Sequence, residues 1–123
     1  MVAAHAAKPP CALVTAADVA AVAKAKPGKP QAQTLGLFKS CTYRAGAFTV
    51  TVQSRQVDHG TFVKSAKANP GPVKQVNANE FSVGGGTVLL VWKHGTSVTV
   101  LVLGAAQPLA AEQALANRAL ARL

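Results

Sequence analysis

Two β-branched runs constrain what this chain can fold into more than any other feature of it. Residues 87–92 read Thr-Val-Leu-Leu-Val-Trp and residues 97–103 read Ser-Val-Thr-Val-Leu-Val-Leu, joined by Lys93-His94-Gly95-Thr96. Branching at Cβ suits a pleated strand and costs a helix χ1 freedom, so the pair is expected to form a hairpin. Val88, Leu90 and Trp92 alternate with Thr87, Leu89 and Val91, so both faces of the first strand are apolar and it belongs in the middle of a sheet. His94 sits where a short turn needs a left-handed backbone, which imidazole tolerates.

A second hairpin is expected from residues 41–44 and 48–53 around Ala45-Gly46-Ala47, with Phe48, Val50 and Val52 on a buried face and Thr49, Thr51 and Gln53 on a wet one. Helices bracket these strands. Thr15 with Asp18 three residues on has the form of a capping box, opening a helix that runs to about Ala25 before Pro27-Gly28. Asp58 can cap a second helix over residues 60–68, closed by Asn69-Pro70-Gly71-Pro72. Pro108 suits the first position of a last helix that carries Leu109, Ala116, Leu120 and Leu123 on one side, with Arg118 and Arg122 at its negative end. Residues 27–40 hold Pro27, Gly28, Pro30 and Gly36 and show neither period, so they read as a surface connection; 73–76 and 80–83 are candidate short strands. The fold expected is α+β, an antiparallel β-sheet with helices packed on one face, in the order α-β-β-α-β-β-β-α.

With 123 residues, this is one domain. Its aromatic content of 5% leaves Ala, Val and Leu to build the core. Burying a Val or Leu contributes about 1.5–3 kcal/mol, so a covalent staple would help. Cys11 and Cys41 are the two cysteines, with no Cys-x-x-Cys spacing and no histidine beside them. That argues against a metal or redox dithiol and for one disulfide in an exported domain. Ala4, His5, Ala6 and Ala7 ahead of Lys8-Pro9-Pro10 are similar to the small-residue stretch that a signal peptidase cuts after. Residues 1–9 are therefore read as a residual signal-peptide tail or flexible N-terminus, and 10–123 as the single domain. No apolar stretch is long enough to cross a bilayer as a helix.

Thirteen Lys plus Arg against Asp18, Asp58, Glu80 and Glu112 give a net charge of +9. Such a surface attracts anions without choosing among them. The basic residues are scattered, with mild clusters at Lys24, Lys26, Lys29 and at Lys64, Lys67, Lys74, which are the candidate anion-binding groups. Groups for bond-making chemistry are scarce. Asp58-His59 is an adjacent pair whose side chains diverge at a helix start, and no histidine spacing suits a metal. Gly84-Gly85-Gly86 lacks the Gly-Lys-Ser/Thr ending of a phosphate loop and precedes a strand, so it reads as a turn or bulge. Tyr43-Arg44 and Trp92-Lys93-His94 are the places where an aromatic adjoins a cation, as single-stranded nucleic acid would require.

Taken in order, several segments carry a resemblance. They are Cys11-Ala-Leu-Val-Thr-Ala-Ala-Asp-Val, Ser40-Cys41-Thr42-Tyr43, Glu80-Phe81-Ser82-Val83 before the glycine run, residues 91–98 from Val91-Trp92-Lys93 to Val98, and the closing Ala119-Leu120-Ala121-Arg122-Leu123. The chain resembles a family of small bacterial exported proteins and lipoproteins of unassigned function. The resemblance implies export to the periplasm or beyond, a Cys11–Cys41 disulfide and a PsbP-like antiparallel sheet backed by helices, and it brings no catalytic residues and no cofactor. The function expected is a non-enzymatic extracytoplasmic binding domain whose basic surface meets an anionic envelope component or a protein partner. Two alternatives are a nucleic-acid-binding protein and an inhibitor of a secreted or envelope enzyme that presents residues 27–38 as its loop.

Overall fold

In the computed structural model, residues 8–36 and 38–123 are described, and the signal-tail reading of Met1 to Ala7 lies outside them. Seven strands form one antiparallel sheet: β1 (Gln31–Leu35), β2 (Phe38–Ala45), β3 (Phe48–Gln56), β4 (Val73–Asn77), β5 (Glu80–Val83), β6 (Val88–Lys93) and β7 (Thr96–Leu103). Their spatial order is β1-β2-β3-β7-β6-β5-β4. Both expected hairpins form, and β6 is an interior strand as its apolar faces require. His94 takes φ 51° in the β6–β7 turn.

Four helices accompany the sheet: α1 (Pro10–Leu13), α2 (Ala16–Ala23), α3 (His59–Lys67) and α4 (Pro108–Ala121). The capping box of α2 is present, with the Thr15 hydroxyl accepting from the Asp18 amide and the Asp18 carboxylate accepting from the Thr15 amide at 2.8 Å. α2 ends at Ala23, two residues short of the expected Ala25, with Lys24 closing it in a left-handed conformation. Asp58 caps α3 by accepting from the Thr61 amide at 2.7 Å.

Cross-strand register sorts the side chains onto two faces. Cys41, Val52, Val100 and Leu89 stand opposite one another on one face; Ser40, Gln53, Thr99, Leu90 and Phe81 stand opposite one another on the other. The first face packs beneath α1, α2 and α4 in a core of Leu13, Val14, Val19, Tyr43, Val50, Val98, Leu115 and Ala119 among others. The second holds a smaller core of Phe62 and Ala66 from α3 on Phe81, with Leu90 and Trp92 beside them.

That arrangement corrects the expectation of helices on one face. α3 lies on the opposite side from the other three, because β5 and β6 expose Phe81, Leu90 and Trp92 there and only an apolar helix face can cover them. Residues 27–40 are likewise no mere connection. Gln31–Leu35 pairs with β2 through five successive partners, since the backbone beyond Pro30 can extend and Gly36 at φ 61° can reverse it. Half of residues 27–38, expected as the loop of an enzyme inhibitor, are thus strand. Both short candidates, β4 and β5, form, so the glycine run follows a strand as well as preceding one.

The disulfide between Cys11 and Cys41 is formed and joins α1 to β2. Beside it the Tyr43 hydroxyl donates to the Val14 carbonyl at 2.8 Å, so α1 and the residue that follows it are fixed to β2 by a covalent and a polar link together. None of the described helices is long and apolar enough to cross a membrane.

Candidate binding surface

Each of the four carboxylates is engaged inside the fold. Asp18 is buried and meets the guanidinium groups of Arg118, at 3.0 Å, and Arg122. Burial by itself would raise its pKa, but hydrogen bonds from Arg122, Thr15 and Arg118 outweigh that and hold it well below the ordinary carboxylate range. Asp58 is held low by the Thr61 amide and hydroxyl. Glu80 accepts from the Gln113 side-chain amide at 3.4 Å. Glu112, on α4, is fully buried; its Oε2 accepts from the Val102 amide at 3.2 Å and its Oε1 has no partner among the described residues. Burial, only partly offset by that amide, pushes its pKa up to about 7.

Some cations are also used structurally. Lys8 donates to the Arg122 carbonyl at 2.6 Å and Lys93 to the Leu120 carbonyl at 2.9 Å. Both therefore sit at the negative end of α4, where unpaired carbonyls collect. Among the described residues the two ion pairs of Asp18 are the only ones.

The helix-free part of the second sheet face presents a different chemistry. Because α3 covers β5 and β6, the same face of β3, β7 and β2 carries Thr49, Thr51, Gln53, Arg55, Thr99, Leu101, Leu103, Thr42 and Arg44, all partly or fully exposed. Leu103 is 52% exposed and Phe38 is 37% exposed, so apolar groups stand among the polar ones. Where this open face meets α3, a cleft of about 130 Å³ is bordered by Phe38, Arg55, Phe62, Ser65, Asn69, Leu90, Ser97 and Thr99. The Arg55 guanidinium lies 5.1 Å from the Phe38 ring centre and donates to the Ser65 hydroxyl at 3.2 Å. One arm is so held, and its remaining N–H donors are available to an oxyanion.

The six lysines singled out in the sequence do not form one site. Lys24, Lys26 and Lys29 follow α2, in a segment tied to the end of β2 by the Gly28 amide on the Arg44 carbonyl at 2.9 Å. Lys64 and Lys67 share the exposed side of α3. Lys74 is on β4, opposite Ser82 and so on the other face of the sheet from α3. Neither aromatic–basic pair is an open stacking platform. Tyr43 is 2% exposed beneath the helices, and Trp92 is half-buried, donating from Nε1 to the Val57 carbonyl at 2.8 Å with His59 edge-on at 4.9 Å. His59 in turn is bonded at Nε2 to the Ala78 carbonyl, at 2.9 Å. Neither Arg55 nor Phe38 is among the binding residues expected from the sequence, Phe38 reading there only as a candidate core anchor of the 27–40 connection. Continuing the two-residue alternation of β3 beyond Gln53 does place Arg55 on the wet face. Phe38 needed the register of β2, hidden while residues 27–40 read as a connection.

Among the described residues no group of three or more His, Cys, Asp or Glu is placed to hold a metal ion. No protein-family model matches this chain, and no curated protein or solved structure does either.

Proposed function

We propose that this chain is a non-enzymatic binding domain that works outside the cytoplasm and takes an anionic partner, an envelope component or an acidic protein surface, on its basic exterior. The observation that carries the reading is the allocation of charge: the acids are spent on caps, one ion-paired cluster, a buried site and the Gln113 side-chain amide, while Arg44 and Arg55 stand on a part of the sheet that no described helix covers. A field of one sign draws a polyanion in, and the fixed guanidinium beside Phe38 gives it a place to dock. The disulfide supports an oxidising compartment, because such links persist outside reducing cytosol.

The test is a titration with polyglutamate and, separately, with short single-stranded DNA, each at low and physiological salt. Saturable binding of polyglutamate that weakens as salt rises, and weakens several-fold more in an Arg44→Ser, Arg55→Ser double variant, is expected. Absence of saturable binding at low salt would remove the reading. Clear preference for DNA would favour the nucleic-acid alternative in its place.

A further inference from the structure

The two outer strands of the sheet are defended very differently. Edge strands leave a row of unpaired N–H and C=O groups, and proteins blunt them with charges, prolines or bulges. β4 carries Lys74 and a register shift between Gln75 and Asn77. β1, Gln-Ala-Gln-Thr-Leu, has no charge, no proline within it and five unbroken pairs with β2. It is regular, no other strand among the described residues pairs with its outer side, and Gln31, Ala32, Gln33 and Thr34 are all exposed.

Beside this edge, on the face roofed by α1, runs a groove of about 320 Å³. Its walls are Pro9, Pro10 and Cys11, its floor Ala32 and Thr34, and Lys39 stands at one end. Register explains the geometry: Ala32 is opposite Cys41 and Thr34 opposite Lys39, so these side chains share the helix-covered face, and the disulfide holds α1 against it. A strand laid along β1 would send alternate side chains into this groove.

We propose that β1 is a docking edge for an extended peptide segment bearing an acidic side chain, which adds as a further antiparallel or parallel strand and places its carboxylate at Lys39. Main-chain hydrogen bonds to the edge supply affinity, and the groove selects alternate side chains. Charge complementarity selects the occupant. A second copy of this chain would bring another uncharged β1, no acid for Lys39 and a further +9 of like charge. An acidic peptide brings the missing partner. The site is separate from the Arg44 and Arg55 face and does not rest on it.

The experiment is selection of an unbiased displayed peptide library on the intact, oxidised protein, followed by amide chemical-shift mapping with an enriched peptide. The expected result is peptides that alternate β-branched and other residues around an acid, shifting the amides of β1 and Lys39. Affinity should fall roughly tenfold in Lys39→Glu, as for a close charge pair that is reversed. The Lys39→Glu protein should in turn select basic peptides, a readout that no folding defect produces. Ala32→Lys, which charges the edge, should abolish binding, whereas Val76→Lys on β4 should not alter it. No enrichment, shifts confined to the Arg44 and Arg55 face, indifference to both β1-side variants, or a dimer dispersed by Ala32→Lys would each overturn the proposal.

Discussion

The two faces of the sheet divide the molecule's work. Beneath α1, α2 and α4 lie the larger core, the disulfide, the ion-paired Asp18 and the sealed Glu112. The opposite face has one helix over its β5–β6 end and leaves the rest to threonines, Gln53, two arginines and a few exposed apolar groups. A face that is fully roofed can hold polar groups only when something satisfies them, whereas an open face leaves that to water or to a partner. Substitutions beneath the helices should therefore cost stability, and those on the open face, like those at the β1 edge groove, binding.

The largest effect should come from the link between α1 and the covered face. Replacing Cys11 and Cys41 together by Ala should lower unfolding free energy by roughly 3–4 kcal/mol in the chain-entropy account of a 30-residue separation. Denaturant titration of oxidised and double-Ala protein checks this, and a loss no larger than for an open-face substitution would break the contrast. Next comes Glu112. Its pKa stands near 7 folded against an ordinary 4.5, so the folded state holds the proton more tightly, and stability is fullest below 4.5 and declines as pH climbs to 7. The decline amounts to about 3 kcal/mol, and Glu112→Gln should flatten it. Asp18 acts in the other direction: with its folded pKa depressed from 3.8, its contribution is present above that value and disappears as pH falls below it. Together they place maximum stability at about pH 4–5, measurable by thermal unfolding across pH. A profile still rising from pH 5 to 8 would contradict the burial of Glu112. The smallest effect belongs to the open face, where Leu103→Ser should change stability by less than about 0.5 kcal/mol.

Punctuation was the most readable part of the sequence. Thr15 with Asp18, Asp58, Pro108 and His94 do what their chemistry forecasts, because caps and turns depend on a few neighbouring atoms. Side allocation was harder. The alternation of Phe48, Val50 and Val52 marks one buried face, yet nothing local says which helix covers which half of the sheet. That depends on Phe81, Leu90 and Trp92 meeting across three strands and the α3 helix. β1 was hidden for a related reason: Gln31–Leu35 has little apolar pattern and is a strand chiefly because β2 lies alongside it. Nothing in the sequence marks Glu112 as buried, and only its place between α4 and β7 shows it sealed from water. Of the binding surface, the excess of cations was legible and its layout was not, since the six lysines single out three separate places.

The Lys8 ammonium resting on the Arg122 carbonyl brings the two ends of the folded body to a common corner. A short flexible bridge from residue 123 back to residue 8 would therefore span little distance. Topologically the domain behaves as a nearly closed ring, so sequence that precedes it and sequence that follows it would leave from adjoining points.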